Sequence, residues 1–308
     1  MNENKKLNFS FISAMVRISV IIGILVFSEL FSQTQIGNDI DGEGEFDQSG
    51  KSISMNSAGD RVAIGAPLNN GAAGSESGHV RVYEYSSGSW IQLGSDIDGE
   101  AANDQSGHRI SLNSAGNRVA IGAPRNDGDG NVSIDSDGNL VFEKEDAGHV
   151  RVYEYSSGSW IQLGSDIDGE AANEISGRSI SLNSVGDRVA ISAYSYDGGT
   201  NTNAGHVRIY EYDGSSWSQL GNDIDGEAGN QYGRSISLNS VGDRVAIGAM
   251  NYVIVYEYSS GSWSQLGSDI YGEAASDFSG ESVSINSAGN RVAIGAPTND
   301  GNGYNSGH

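Results

Sequence analysis

The sequence predicts an all-β protein, a β-propeller built from four-stranded antiparallel blades. A phrase R-V-A-I-(G/S)-A occurs five times, and its copies begin 57, 70, 56 and 47 residues apart at Arg61, Arg118, Arg188, Arg244 and Arg291. No segment after residue 33 has a helical hydrophobic period, whereas period-2 alternation is frequent. Repeats of this size with several strands each are typical of propeller blades. A β-sandwich array or a β-solenoid is the alternative.

Each repeat contains four strand signals, which we call a, b, c and d. Strand a is predicted at Ser179–Asn183 and strand b at Arg188–Ala193 in the third copy. Strand c is predicted at His79–Tyr85 and strand d at Ser89–Ile97 in the first copy. Valine and isoleucine alternate with small or polar residues in these segments, as they do in half-buried strands. Short Gly-containing turns join a to b and c to d, which places the longer b–c and d–a connections together at the other face.

The fifth copy ends after its strand b, so the chain is predicted to hold about five repeats of a larger propeller. Residues Gln35–Ile40 resemble the end of a strand d and could complete the last blade. The predicted propeller region is 33–308, and its approximate units are 33–97, 98–167, 168–224, 225–270 and an incomplete 271–308.

The first 32 residues are predicted to be a cleaved signal peptide. Lys5 and Lys6 precede an apolar run, Ile18–Phe27, which is shorter than the roughly 20 residues that a membrane span needs. We therefore expect a secreted or cell-surface protein with no membrane span after cleavage. Because the sequence has no Cys, disulfides, thiol nucleophiles and cysteine-based metal sites are excluded.

Acidic residues dominate the charge of the chain. The 40 Asp and Glu residues outnumber 17 Lys and Arg residues, for a net charge of -23. Nucleic acid is excluded as a partner, because phosphate binding needs clustered basic residues. Most of the acidic residues fall in the d–a and b–c connections, so we expect one acidic face that attracts cations or a basic partner.

Two groups of aspartates are candidate calcium ligands, since hard cations need clustered oxygen atoms. One group lies in a d–a connection and the other in the long insertion of the second repeat. The alternative is a solvated acidic loop in each case. The Gly-His pairs before strand c are interpreted as repeat-consensus residues rather than metal ligands. The six candidate calcium ligands are Asp127, Asp129, Asp135, Asp137, Asp166 and Asp168.

The stretch from strand a through strand b resembles the FG-GAP repeats of integrin α-subunit propellers and of secreted Bacteroidetes proteins. It is seen at 232–249, and three copies end in Gly-Ala-Pro, at Gly65–Pro67, Gly122–Pro124 and Gly295–Pro297. The resemblance implies a β-propeller, usually of seven blades, with a role in adhesion or extracellular recognition. The calcium site of that family is not implied, because the a–b hairpin here lacks its aspartates.

The expected function is therefore a non-enzymatic binding or adhesion module that uses the acidic face, with calcium as its one candidate cofactor. The expected partner is an extracellular protein or glycan. No catalytic residues are predicted, because the one stretch that breaks the repeat, 125–147, holds no His. The alternatives are the propeller part of a polysaccharide-acting enzyme and a structural adhesive array with no discrete ligand.

Overall fold

The computed structural model describes residues 34–128, 132–134, 140–142, 144–195 and 203–308. The chain divides into two units, 1–38 and 39–308. In the first unit the described residues, 34–38, form no helix or strand, and the predicted signal peptide at 1–32 lies outside the described residues. No helix in the described ranges is long and apolar enough to cross a membrane.

The second unit contains four large antiparallel sheets. One repeat forms each sheet, and the sheets follow one another in chain order. The first sheet comprises β1 (Ser52–Met55), β2 (Arg61–Ala66), β3 (His79–Ser86), β4 (Ser89–Gln92) and β5 (Ile97–Asp98). The second comprises β6 (Arg109–Leu112), β7 (Arg118–Ala123), β10 (His149–Ser156), β11 (Ser159–Gln162) and β12 (Ile167–Asp168). The small hairpin β8 (Val132–Ile134) and β9 (Leu140–Phe142) interrupts this second sheet in the sequence.

The remaining sheets follow the same plan. The third comprises β13 (Ile180–Leu182), β14 (Arg188–Ala193), β15 (His206–Tyr212), β16 (Trp217–Gln219) and β17 (Ile224–Asp225). The fourth comprises β18 (Ser235–Leu238), β19 (Arg244–Ala249), β20 (Tyr252–Ser259), β21 (Ser262–Gln265) and β22 (Ile270–Tyr271). The fifth repeat contributes a two-stranded sheet of β23 (Ser282–Ile285) and β24 (Val292–Gly295).

The all-β prediction is confirmed, and each large sheet has its strands in the predicted order a-b-c-d. One difference concerns strand d, which is two short strands rather than one. In the first sheet both β4 and β5 pair with β3, and the chain turns between them at Gly94, where φ is 79°. A Cβ atom at this position would also lie 3.0 Å from the ring of Trp160. Both the positive φ and the close approach of this ring therefore favour glycine.

Two further differences concern the ends and the insertion of the repeats. Residues 35–40, which resemble the end of a strand d, form no strand. The hairpin β8–β9 was not predicted, because the insertion is short in apolar residues and rich in Gly and Asp. Strand c of the fourth repeat is β20, which begins at Tyr252.

The hydrophobic core lies between consecutive sheets. Val80 and Val82 of the first sheet pack with Ile110, Val119 and Ile121 of the second, and all five are at most 8% exposed. Equivalent clusters join the second sheet to the third, the third to the fourth and the fourth to the fifth. Each repeat therefore buries its apolar side chains only against its neighbours, as in other repeat proteins.

Strands a of consecutive sheets lie beside one another and are tied by serine. The backbone N–H of Leu112 donates to Ser54 Oγ at 2.9 Å, and Leu182 repeats this contact with Ser111 at 2.9 Å. The a–b turns are also joined, because the N–H of Ser57 donates to the carbonyl of Ser114 at 3.1 Å. Three more bonds of this kind continue the series as far as Ser287.

The repeated tryptophans also join the sheets. Trp160 Nε1 donates to the carbonyl of Leu93 in the preceding sheet at 2.7 Å, and Trp217 and Trp263 make the same bond to their preceding sheets. Each ring also contacts the tyrosine opposite it in the hairpin, as at Tyr155, with ring centroids 5.2 Å apart. In the part of the chain that the structure describes, these aromatic side chains hold consecutive sheets together.

Candidate functional site

A polar cluster recurs where strand c begins, and the first repeat shows its plan. His79 and Arg81 are two residues apart in β3, so both side chains lie on one face of the sheet. His79 Nδ1 lies 4.0 Å from Glu43 Oε2 and 3.9 Å from Asp96 Oδ2. Arg81 holds the other oxygen of Glu43 at 3.2 Å. The cluster therefore combines one imidazole, one guanidinium and two carboxylates.

The second repeat builds the same cluster with Glu100, His149 and Asp166. His149 Nδ1 lies 4.0 Å from Glu100 and 3.7 Å from Asp166, and Arg151 holds Glu100 at 3.0 Å. Burial, together with the neighbouring Asp166, raises the pKa of Glu100 although Arg151 opposes the shift. One imidazole nitrogen and two carboxylate oxygens within 4.8 Å of one another form a donor set suited to a divalent metal.

In the third repeat a guanidinium joins the two carboxylates directly. Arg208 donates to Glu170 at 2.6 Å and to Asp223 at 2.8 Å. Burial and the adjacent Arg208 lower the pKa of His206 to about 4, so this imidazole is neutral at physiological pH. The corresponding arginine of the first two clusters pairs with Glu43 or Glu100, whereas Arg208 pairs with both carboxylates of its cluster.

The fourth repeat replaces both basic residues of the cluster. Tyr252 stands where the other repeats have His, and Ile254 stands where they have Arg. A cavity of about 800 Å³ opens at this position. We call it the tyrosine pocket, and its main lining residues are Tyr232, Tyr252, Tyr256, Tyr271, Asp225, Glu227, Asp269 and Glu273.

The aromatic rings of the tyrosine pocket contact one another in series. Tyr232 meets Tyr252 edge to face with ring centroids 6.1 Å apart, and Tyr252 lies 5.4 Å from Tyr271. Tyr252 is 7% exposed and Tyr271 is 69% exposed, so the series runs from the buried wall to the solvent. The hydroxyl of Tyr271 donates to Asp269 at 2.9 Å.

The electrostatics of the tyrosine pocket are uniformly acidic. Burial raises the pKa of Tyr232, Tyr252 and Tyr256, and the hydrogen bond to Asp269 raises that of Tyr271. The phenols therefore stay neutral and keep their electron-rich faces. No Lys or Arg is among the described residues that line the pocket. Arg208 lies outside the lining and opposes the rise that burial causes in the pKa of Asp225.

The sequence-predicted calcium ligands fall in different places. Asp166 belongs to the second cluster, whereas Asp168 lies in β12, whose backbone pairs with His149. Asp127 is exposed and accepts a hydrogen bond from the N–H of Asp146 at 3.1 Å. Asp129, Asp135 and Asp137 lie outside the described residues.

Several acidic side chains of the d–a connections are buried and organise the loop. Asp104 is 3% exposed and accepts from the N–H of Ala101 at 2.9 Å and from Asn126 at 3.1 Å. Asp47, Glu174 and Asp277 accept equivalent backbone bonds. These carboxylates stabilise the connection and do not contribute to an exposed acidic surface.

The sequence analysis did not predict the tyrosine pocket, although the sequence contains two signs of it. The fourth repeat lacks the Gly-His pair before strand c, and Tyr271 replaces an aspartate that the other d–a connections carry. Both departures fall in the fourth sheet, in β20 and β22, and only the folded chain shows that they share a cavity.

No protein-family model matches this chain, and no curated protein matches it significantly. Its fold is similar to the crystal structure of a putative 6-phosphogluconolactonase from Bacteroides uniformis. The TM-score is 0.51 at 13% sequence identity, and the match covers 82% of this chain and 69% of that chain. At this identity the likeness shows the fold alone.

These comparisons correct two expectations. The resemblance to FG-GAP repeats is wrong: no family model matches, and the similar structure is of a different protein. The phrase R-V-A-I-G-A is not specific to FG-GAP repeats, because small and β-branched residues suit any closely packed pair of strands. The expectation that the protein is not an enzyme is also contradicted: the similar fold is that of a putative 6-phosphogluconolactonase, so this fold does not exclude an enzyme. The likeness transfers no reaction to this chain.

Proposed function

We propose that this protein is a binding module whose tyrosine pocket takes a ligand bearing an organic cation, such as a quaternary or primary ammonium group. The observation that carries the proposal is the replacement of His and Arg by Tyr252 and Ile254, with a cavity of about 800 Å³ at that position. A cavity of this size falls within the range of small-molecule sites.

The chemistry of the lining favours a cation over an anion or a neutral group. Faces of neutral tyrosine rings attract ammonium groups, with about 0.5–2 kcal/mol for each favourable contact. The carboxyl groups of Asp269 and Glu227 line the same cavity. Burying an anion against these groups would cost free energy, because no basic side chain lines the pocket to neutralise it.

The first test is calorimetric titration of the full chain with choline and with spermidine, using maltose as the neutral probe. We expect both cations to bind and maltose to give no heat. The double variant Y252H/I254R restores the residues of the other repeats and fills the pocket with a cation. It should weaken cation binding at least tenfold.

The matched control is Y304A, because Tyr304 is 89% exposed and outside the pocket. This variant should bind the cations as the unaltered protein does. Absence of choline and spermidine binding, or equal binding by the double variant, contradicts the proposal. Binding of maltose alone would favour a glycan ligand instead.

We propose a divalent cation at the cluster of Glu100, His149 and Asp166 as a second binding function. The imidazole donor favours zinc or a similar ion over calcium, which prefers six to eight oxygen ligands. The melting temperature is measured during titration with zinc and with calcium. Zinc should raise the melting temperature at a lower concentration than calcium does. H149A should reduce the zinc effect, and H79A/H149A should remove it, because Glu43, His79 and Asp96 form the same donor set in the first repeat. A response of H149A equal to that of the unaltered protein contradicts this site.

We further propose that the sheets are blades of a propeller and that the protein is secreted or displayed at the cell surface. The side-by-side strands a and the serine bonds between consecutive a–b turns support the first proposal. The apolar run Ile18–Phe27 behind Lys5 and Lys6 supports the second. Electron cryomicroscopy tests the arrangement of blades, and fractionation of the expressing cell tests the location.

A further inference from the structure

A group of basic side chains lies where strands a begin, at one edge of each sheet. The equivalent position in the five repeats is filled by Lys51, His108, Arg178, Arg234 and Glu281. Because consecutive strands a lie side by side, these positions are neighbours although they are 47 to 70 residues apart. The chain as a whole carries a net charge of -23, so basic residues in adjacent positions are not a consequence of composition.

Arg109 adds a second basic residue and departs from the repeat. The other four repeats have serine at its position, and two of those hydroxyls hold the next sheet. Ser52 Oγ donates to the carbonyl of Gly107 at 2.6 Å, and Ser235 Oγ donates to that of Gly280 at 2.9 Å. In the second repeat Arg109 stands in place of this serine, so a guanidinium replaces the hydroxyl that makes this hydrogen bond.

The arginines converge on a cavity of about 270 Å³, which we call the arginine pocket. Arg234 is paired, since it donates to Glu281 at 2.5 Å and to Gln231 at 2.7 Å. Arg109 donates only to the carbonyl of His108, at 3.0 Å, and Arg178 lies over the ring of Tyr194 at 5.6 Å. Among the described residues neither Arg109 nor Arg178 forms an ion pair. The pocket is lined by Arg109, Arg178, Arg234, Tyr194, Gln231 and Glu281.

Positive charges lie close together around this pocket and lower the pKa of neighbouring basic groups. Burial and Arg178 together lower the pKa of Arg109. Burial, with Arg178 and Arg109 nearby, lowers the pKa of His108 to about 3, so this imidazole remains neutral. His108 is 8% exposed, and its Nδ1 has no hydrogen-bond partner among the described residues. Such a concentration of unneutralised charge is a feature of sites that bind a counter-ion.

We propose that the arginine pocket binds an oxyanion, the phosphate or carboxylate group of a small molecule. Two half-buried guanidinium groups without carboxylate partners offer planar pairs of N–H donors, which match phosphate and carboxylate oxygens. Glu281 closes one side and makes the pocket selective for a ligand that also donates a hydrogen bond. This site is separate from the tyrosine pocket and has the opposite charge preference.

The test uses the full chain with inorganic phosphate, sulfate and glucuronate as probes, titrated calorimetrically at constant ionic strength with chloride. We expect at least one oxyanion to bind, and the probe that binds best distinguishes a phosphate site from a carboxylate site. R109S places the residue of the other four repeats at this position and should weaken that binding at least tenfold. R178K keeps the charge but loses the paired donors, and should also weaken it.

The matched control is R125S, because Arg125 is exposed and does not line the pocket. It should bind the oxyanion as the unaltered protein does. A second readout is stability without ligand: R109S should melt at a higher temperature than the unaltered protein, since it removes a repulsive charge. The proposal is overturned if no probe binds the unaltered protein, or if R109S and R178K both bind as tightly as R125S.

Discussion

At the residue scale, buried histidine makes the stability of the protein depend on pH. His108 has its pKa lowered to about 3 by burial and by adjacent Arg178, whereas the unfolded chain titrates near 6.5. Between these values the unfolded chain binds a proton that the folded chain does not, so stability is present above pH 6.5 and falls as the pH approaches 3. We expect H108Q to lose less free energy of unfolding than the unaltered protein between pH 7 and about 4.5. Urea unfolding at the two pH values measures this.

The comparison needs a difference between variants, because other groups titrate in the same range. Burial raises the pKa of Glu174 and Asp104, and these carboxyls favour the folded state as the pH falls. H308Q, which alters an exposed histidine, is the control and should follow the unaltered protein. Parallel pH profiles for H108Q and the unaltered protein would show that His108 is not the group responsible.

At the element scale, the first residue of strand b joins consecutive repeats. Arg188 pairs with Glu211 across β14 and β15 at 2.7 Å and donates to the carbonyl of Gly242 in the next a–b turn at 3.2 Å. Its guanidinium also lies over the ring of Tyr258 at 6.0 Å. Because hydrogen bonds to charged groups contribute about 1.5–3 kcal/mol, R188A should destabilise the protein by about that amount in urea unfolding.

The fifth copy offers a control at the equivalent position. Arg291 precedes β24, and the described residues place no further repeat beside it. R291A should therefore change the free energy of unfolding by less than about 0.5 kcal/mol, as an ordinary surface substitution does. Equal losses for R188A and R291A would mean that the contact with the next repeat contributes nothing.

At the scale of the whole molecule, net charge opposes folding. With a charge of -23, repulsion between carboxylates destabilises the compact state and is weakened by salt. We expect the melting temperature to rise as NaCl increases from about 0.01 M to about 1 M, over which the Debye length falls from about 30 Å to about 3 Å. Calorimetric melting measures the effect.

The control for this salt effect is the same series at about pH 4, where carboxylates begin to protonate. The rise should then be smaller, because less charge remains to be screened. A melting temperature that is constant or falls with salt at pH 7 would indicate that paired charges, such as Arg188 with Glu211, outweigh the general repulsion.

Local sequence determined the strands, because period-2 alternation and turn residues act over a few residues. The strands at Arg61–Ala66 and His79–Ser86 follow directly from such patterns. The hairpin β8–β9 was missed, since its strands are only three residues each and are too short for an alternating pattern to be seen. The division of strand d was missed because a single glycine, Gly94, breaks an otherwise continuous signal.

The sites depended on contacts that no local pattern encodes. The all-β class, the repeat and the acidic charge can be predicted without the structure, because they depend on composition and on residues close together in the chain. Long-range packing determines which of the acidic side chains are buried, as Asp104 is, and which line a cavity, as Asp269 does. The fold also brings Arg109 beside Arg178 across 69 residues, because packing strands a side by side makes the starts of these strands neighbours irrespective of the loop between them.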